Sequence, residues 1–503
     1  MKLTPLSLIA HFAGGELHGD DAMIDAVGND TRALASGSLY VALRGERFDG
    51  HDFAADAVAR GASGLLVARG ASGLLVERLV PALHVPQVVV ANTELALARI
   101  AAGMQRDRAT RVIALTGSNG KTSVKALLLA ILAEAGRVDG ITAYANPGNR
   151  NNEIGLPLAV IAAPDDADLA VYEMGAGKPG DIAYLTDIAR PDVALVNNIA
   201  PAHLERMGSL LGVAQTKGAI YTALPADGVA VINADDAFGA WFEQQLLAQP
   251  LQGRRVLRYG LHASAEITAR QLRLHAAGAQ FVLVIPQGEA PVVLPLPGRH
   301  NVLNALAATG LALGAGIALP IIAAGLAQAT QVAGRQIAHT LTTGAVLIDD
   351  SYNANPGSLD AAIDALAAAP GEGWLVLGDM RELGPEAPAL HAAAGRRARN
   401  AKLARLYALG ALSAAAAQAF GDGGRVFATH AALAAALQAD LAAAASQTQT
   451  QDSSLMHEHT GAVARAAASV APPTLLVKGS RGSAMDRIVA ALLAPSEDAS
   501  HVA

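Results

Sequence analysis

One lysine, one threonine and two glycines carry the strongest chemical signal in this chain. They stand in RVIALTGSNGKTS (111–123), where an apolar run leads through a glycine turn into Lys121-Thr122-Ser123. Backbone N–H groups, a helix N-terminus and one ammonium can converge there on phosphate. Gly117 and Gly120 permit close backbone approach to an anion. Lys121 can reach β- and γ-phosphates, and the Thr122 hydroxyl can ligate Mg²⁺. The loop, Gly117-Ser118-Asn119-Gly120-Lys121-Thr122, is shorter by two residues than the standard GxxxxGK[ST] pattern. Use of a nucleotide follows from this stretch; the purpose of that use does not.

Other polar residues stand just after apolar, strand-like runs. Glu173 lies in VYEMGAGKPGD (171–181), His203 in NNIAPAHLERMGS (197–209), and Asn152 in the Asn-rich ANPGNRNNEIGLP (145–157). Ligands of open α/β sheets sit beyond the carboxyl ends of the strands, so these groups can meet over the phosphate loop. Alone, Glu173 reads as a surface carboxylate and His203 as a capping or core histidine. Together, behind a phosphate loop, they suit Mg²⁺, which takes few protein ligands. Lys217, in VAQTKGAIY, reads by itself as a helix-surface lysine. Further on, LIDDSYNANPGS (347–358) ends in Asp350 and a turn carrying Tyr352, Asn353 and Asn355. VLGDMRELG (376–384) repeats the pattern with Asp379, and VKGSRGSAMD (477–486) brings Lys478 and Arg481 near a helix start. That last segment suits a carboxylate or phosphate, with a basic surface loop as the plain alternative.

The elements that must position these residues can be read as well. Val112–Leu115 suits a buried parallel strand, and Lys121–Leu132 is strongly helix-forming. Apolar runs at 111–116, 169–174, 192–197 and 229–233 alternate with helical stretches, which predicts a doubly wound parallel sheet. A β-rich insert is expected over about 254–296 and a helix from Asn301. Strands at 345–349, 374–378, 405–409 and 474–477 predict a second α/β unit. The chain thus divides into 1–107, 108–330 and 331–503, an α/β protein of three domains. GASGLLV occurs at 61–67 and again at 70–76, a tandem duplication expected to lengthen a loop or add a strand turn. The Gln/Thr/Ser/Ala-rich 446–471 is expected to be a mobile insertion loop, and its His457 and His459 to be solvated rather than metal ligands.

Composition bounds the function. Half of the 503 residues, 52%, are hydrophobic, enough for several cores. A net charge of -7 without a basic tract argues against nucleic acid. The absence of cysteine excludes disulfides and thiolate chemistry. The first residues do not read as a signal peptide, and Ala305–Ala327, punctuated by glycines and Pro320, reads as two helices rather than a membrane span. A cytoplasmic location is expected.

TGSNGKTS, GNRNNEIGLP, YEMGAGKPGDI, AHLE, GRHNVLNALAA, DDSYNANP, GDMRELG and VKGSRG occur in that order. The combination resembles the Mur ligases over nearly the whole chain, and the shortened phosphate loop is a feature of that family. YNANP, DMRELG and VKGSR point to its dipeptide-adding branch. The resemblance implies a domain for the UDP end of the substrate, a central ATPase domain and a C-terminal domain of dinucleotide-fold-like topology. It implies ATP and Mg²⁺, with UDP-N-acetylmuramoyl-tripeptide and D-alanyl-D-alanine as substrates joined through an acyl phosphate, and a monomer.

Residue by residue, Thr31, Arg32, Arg44, Gly45, Asp49, Gly50 and His51 match the first-domain substrate motif. Gly117 to Ser123 match the ATP phosphate loop. Thr122, Glu173 and His203 match metal ligands, and Lys217 the lysine carbamylated in several members. Asn301 and Asn304 match adenine-side asparagines, Arg335 the linker arginine and Asp350 a ribose-binding aspartate. Asn152, Tyr352, Asn353 and Asn355 fall to the substrates, and Asp379, Lys478 and Arg481 to the incoming dipeptide. Ser123-Val124-Lys125-Ala126 departs from the usual Thr-Thr-Lys-Glu run, with little effect expected, and the 446–471 stretch is atypical. Sibling amino-acid-adding ligases and folylpolyglutamate synthase are the near alternatives, disfavoured by YNANP. A phosphate-loop switch ATPase is the remote one, and it leaves Lys478, Arg481, Arg32, Arg44 and His51 without a role.

Overall fold

The computed structural model describes residues 1–45, 48–59, 71–247, 254–262, 265–275, 277–457 and 471–494. The strand Arg111–Thr116 is buried at every position but its first. A strand apolar on both faces must be covered on both, which favours a parallel sheet between helix layers. It lies inside a six-stranded sheet whose order is Arg255–Tyr259, Val229–Asn233, Val193–Val196, Arg111–Thr116, Leu169–Glu173, Ala143–Ala145. All neighbouring pairs are parallel. From Arg111–Thr116 the chain winds first to one side and then to the other. The reversal opens a crevice at the carboxyl end of that strand.

The helix Lys121–Asp139 follows directly and buries Val124, Leu127, Leu128, Ile131, Leu132 and Ala135, one face at helical spacing. The helix Leu319–Ala327 crosses it so closely that a Cβ on Gly325 would come 2.5 Å from Ile131 Cα. The expected β-rich insert divides in two. Arg255–Tyr259 extends the parallel sheet, because its register against Val229–Asn233 buries Leu257 and Tyr259. Thr268–His275, Gly278–Ile285 and Gly288–Leu294 form a separate antiparallel sheet.

The N-terminal unit has a five-stranded sheet in the order Glu16–His18, Gln87–Val89, Ala71–Val76, Ser38–Val41, Ala26–Gly28. The second copy of the duplicated heptad supplies the strand Ala71–Val76; the first copy lies outside the described residues.

The C-terminal sheet runs Ile337–Thr340, Val346–Asp350, Thr474–Lys478, Gly373–Gly378, Arg405–Leu409, Gly424–Phe427. Its first strand is antiparallel and the rest are parallel. The expectation of a loop from residue 446 is corrected as far as residue 457. The helix His430–His457 continues through it, and residues 458–470, His459 included, lie outside the described residues. No Gly or Pro interrupts 430–457, and Leu433, Leu437 and Leu441 anchor its first turns on the sheet. Propagation of a formed helix then needs only tolerable propensity, which a low-complexity polar run supplies. Among the described residues no helix is long and apolar enough to cross a membrane.

Candidate active site

Strand register builds one wall of the site. Glu173 lies opposite Leu115, and Val196 opposite Thr116. The phosphate loop, the Glu173 carboxyl and the turn from Asn197 therefore emerge side by side. They face a cleft of about 710 Å³ whose other wall is the C-terminal unit.

The loop is held before any ligand arrives. Gly120 has φ 76°, and a Cβ there would come 2.6 Å from both Asn197 Nδ2 and Asn304 Oδ1. The Ser118 N–H donates to Asn198 O at 2.9 Å, the Asn119 N–H to Asn198 Oδ1 at 2.8 Å, and the Ser118 hydroxyl to Ala200 O at 3.0 Å. Lys121 Nζ donates to Gly117 O at 2.8 Å, across the loop it serves. Burial lowers the Lys121 pKa, and the Glu173 charge pulls the other way. Asn197 and Asn198 are not singled out by the sequence motifs, although two adjacent asparagines directly after a strand are a local signal for them.

Glu173 is 2% exposed. Its Oε1 accepts from Asn151 Nδ2 at 2.9 Å, while Oε2 is buried without a hydrogen-bond partner. Lys125 Nζ stands 3.5 Å from Oε2 and donates to Asn146 O at 3.1 Å and Gly148 O at 3.0 Å. Lys125, treated in the sequence as part of a departure, thus anchors the Asn-rich loop and faces the carboxylate. A buried carboxylate oxygen with no hydrogen-bond partner, beside a phosphate loop, is a donor suited to Mg²⁺, so the residues fit that ion. Asn152, also on the cleft, caps the helix Gly155–Ala162 through Oδ1 to the Gly155 N–H at 2.9 Å.

His203 lines the cleft in a left-handed conformation, φ 53°. Its Nδ1 is hydrogen-bonded to Glu382 of the opposite wall. Burial lowers its pKa, with Glu382 opposing. No local pattern links the acid of DMRELG to this histidine, since the pair is 179 residues apart. Lys217 is not a surface lysine by any local measure: it is 1% exposed on the helix Leu210–Thr222. Burial drives its pKa well below the ordinary lysine value, helped by Lys121 and opposed by Asp181.

The other wall begins with a direct cross-strand pair. Asp350 and Lys478 are opposite each other on parallel strands, and Lys478 Nζ donates to Asp350 Oδ2 at 2.6 Å and to Asn353 O at 3.0 Å. Both residues line the cleft, as do Tyr352, Asn353 and Asn355. Asn355 caps the helix Pro356–Ala367 and donates through Nδ2 to Asn119 Oδ1 at 2.6 Å, joining that helix to the phosphate loop. Arg335 reaches the Thr122 hydroxyl at 3.0 Å. Asn301 and Asn304 stand on the helix Arg299–Gly314 at the cleft edge, Asn301 donating to Pro297 O at 2.7 Å.

Three groups of expected site residues sit elsewhere. Arg481 lies against the Tyr352 ring, Cζ 5.5 Å from its centroid, and does not line the cleft. Asp379 accepts from the Leu412 and Ser413 N–H groups at 3.1 and 2.8 Å and so holds a turn of its own unit. The N-terminal residues form a separate cluster. Arg32 pairs with Asp30 at 2.7 Å; Arg44 pairs with Asp49 and with Glu77, each at 3.3 Å. His51 Nε2 accepts from the Glu77 N–H at 2.8 Å, which leaves Nδ1 to donate to Asp49 Oδ1 at 2.6 Å. Hydrogen bonds from the His51 backbone and ring hold Asp49 at about 2. Thr31, Gly45 and Gly50 belong to the same unit, Gly50 donating through its N–H to Leu43 O at 2.8 Å.

Comparison with known proteins accords with this arrangement. Residues 23–105 match the family described as "Mur ligase family, catalytic domain", 115–312 the "Mur ligase middle domain" and 336–481 the "Mur ligase, glutamate ligase domain". UDP-N-acetylmuramoyl-tripeptide--D-alanyl-D-alanine ligase from Escherichia coli (strain K12) is 44% identical over 395 residues, 78% of this chain and 83% of that protein. The protein of the same name from Haemophilus influenzae is 38% identical over 397 residues, 79% of this chain and 83% of that one. A crystal structure of MurF from Acinetobacter baumannii superposes with TM-score 0.83 at 31% identity, covering 98% of this chain and all of that one.

Proposed function

Because the chain belongs to the Mur ligase family, we propose that its cleft joins D-alanyl-D-alanine to UDP-N-acetylmuramoyl-tripeptide, an ATP-dependent amide-forming step in peptidoglycan precursor synthesis. The observation that carries this is the meeting of two anion-handling walls on one cleft. Lys121 and Glu173 stand on one side, and the Asp350–Lys478 pair with Tyr352 and Asn353 on the other.

A carboxylate is a poor acyl donor, so it must be activated. Its oxygen attacks the γ-phosphorus of ATP, ADP leaves, and an acyl phosphate forms. The dipeptide amine then attacks that carbonyl, inorganic phosphate leaves, and the amine gives up a proton as the amide forms. Lys121 stabilises negative charge on the phosphoryl group in transit, from a loop already fixed by Asn197 and Asn198. Thr122 and Glu173 are the residues that would hold Mg²⁺, which offsets phosphate charge when bound. His203 and a carbamylated Lys217 would serve a second ion. Lys478 would face the dipeptide carboxylate, screened from solvent and already oriented by Asp350. The N-terminal cluster around His51 would take the UDP end of the long substrate.

The test is product mass. Incubation with ATP, the nucleotide-tripeptide and D-alanyl-D-alanine yields a nucleotide-pentapeptide with equimolar ADP and phosphate. Addition of single amino acids instead, with no dipeptide product, would overturn the reading in favour of a sibling ligase.

Lys217 gives a separate expectation. Burial favours its neutral amine, the form that reacts with carbon dioxide, and the resulting carbamate is an anion able to hold a metal. Lys217→Ala therefore loses activity by about 10²-fold, and short carboxylic acids restore part of it. Full activity of the alanine variant without any additive would remove Lys217 from the site.

A further inference from the structure

Two guanidinium groups lie over the Tyr352 ring. Arg335 Cζ is 4.4 Å from the ring centroid and Arg481 Cζ is 5.5 Å from it. Both distances fall within the range in which an aromatic ring attracts a cation. Each arginine leads to a different part of the cleft. Arg335 donates to the Thr122 hydroxyl, on the first turn of the helix that follows the phosphate loop. Arg481 follows the strand Thr474–Lys478, whose last residue is tied to Asp350 and to Asn353 O.

The backbone that carries the ring is tied to the residue before Arg335. The Tyr352 N–H donates to Gly334 O at 3.2 Å. At Gly334, φ 69°, a Cβ would come 3.3 Å from Tyr352 Cβ. The residue before Arg335 is thus pressed against the residue whose ring Arg335 covers.

Two like charges sharing one ring weaken each other's hold on it. A nucleotide phosphate that draws Arg335 towards itself would relieve that competition, and Arg481 would seat more firmly on the ring. This is a difference in interaction free energy between two states, which is what coupling between sites requires. We propose that Tyr352 is a positioning residue that couples the nucleotide side of the cleft to the acceptor side, through Arg335 on one hand and Arg481 on the other. The proposal rests on the ligase reading above, in which those two sides take ATP and the dipeptide.

A double-mutant cycle tests it. Arg335→Lys, Arg481→Lys and the pair are compared by kcat/KM for D-alanyl-D-alanine, in the native, Tyr352→Phe and Tyr352→Leu backgrounds. With the native ring the two effects depart from additivity by about fivefold or more. Tyr352→Phe keeps the ring and keeps that departure. In the Tyr352→Leu background the effects multiply within about twofold. A general loosening of the fold would shift all four corners of a cycle alike and leave the non-additivity in place. Additive effects with the native ring, persistence of the full departure in the Tyr352→Leu background, or its loss in Tyr352→Phe would each overturn the coupling alone. Absence of any dipeptide-dependent turnover in the native chain would overturn the ligase reading, and the coupling with it.

Discussion

Replacing Lys121 with alanine abolishes ligation while the chain stays folded: kcat falls by about 10³-fold or more. Lys121 stands in the first turn of its helix, and its ammonium is bonded to a loop carbonyl, Gly117 O. Removing it leaves one carbonyl oxygen, Gly117 O, without that donor and no stranded carboxylate, because Glu173 keeps Lys125 at 3.5 Å. The loop retains its bonds to Asn198 and Ala200. Thermal melting should therefore shift little. What disappears is the phosphate loop's own ammonium, a positive charge that can follow the phosphoryl group as it transfers. Phosphate release and product mass measure the loss; near-native ATP-dependent phosphate release by Lys121→Ala would sink the phosphate-loop assignment.

Glu173→Gln gives the second large effect, and it differs in kind. The substitution keeps an oxygen for Asn151 but removes the negative charge beside Lys125. Activity falls by about 10³-fold, since the carboxylate proposed to hold Mg²⁺ is gone. Stability also falls, by up to about 3 kcal/mol, because a buried ammonium loses its ion partner. The bonds from Lys125 to Asn146 O and Gly148 O moderate that cost. Adding Lys125→Met to Glu173→Gln removes the stranded charge, so it recovers melting temperature without recovering turnover. Urea unfolding and steady-state kinetics on the pair of variants separate the two effects. Recovery of turnover together with stability would show that Glu173 acts only through the fold.

Legibility in the sequence followed locality. The strand–loop–helix at 111–139 could be read because every determinant is contiguous: apolar run, glycines, lysine, helix formers. The central sheet followed from alternation of such runs. Residues 446–457 are helical against the expectation of a loop, because composition alone does not register the helix that precedes them. A polar repeat is a poor helix former in isolation, but a helix already anchored upstream by buried leucines needs little from it. Lys217 was read from local pattern as a surface residue because one lysine on a helix gives no hint of which face is covered.

By itself, then, the sequence determined a phosphate-binding loop, an α/β architecture, the absence of thiol chemistry and a set of motifs whose order resembles one ligase family. Each rests on neighbours in the chain. Tertiary structure alone decided which charges face one another. Asp350 meets Lys478 because two strands 128 residues apart lie in parallel register. His203 meets Glu382 because the cleft closes between two sheets. Glu173 keeps one buried oxygen without a hydrogen-bond partner because its strand ends beside Leu115, at the wall of the cleft. Arg335 and Arg481 share a ring that neither segment announces. Charge–charge and charge–ring energies depend on separation and burial, and a linear chain encodes neither until its strands are paired.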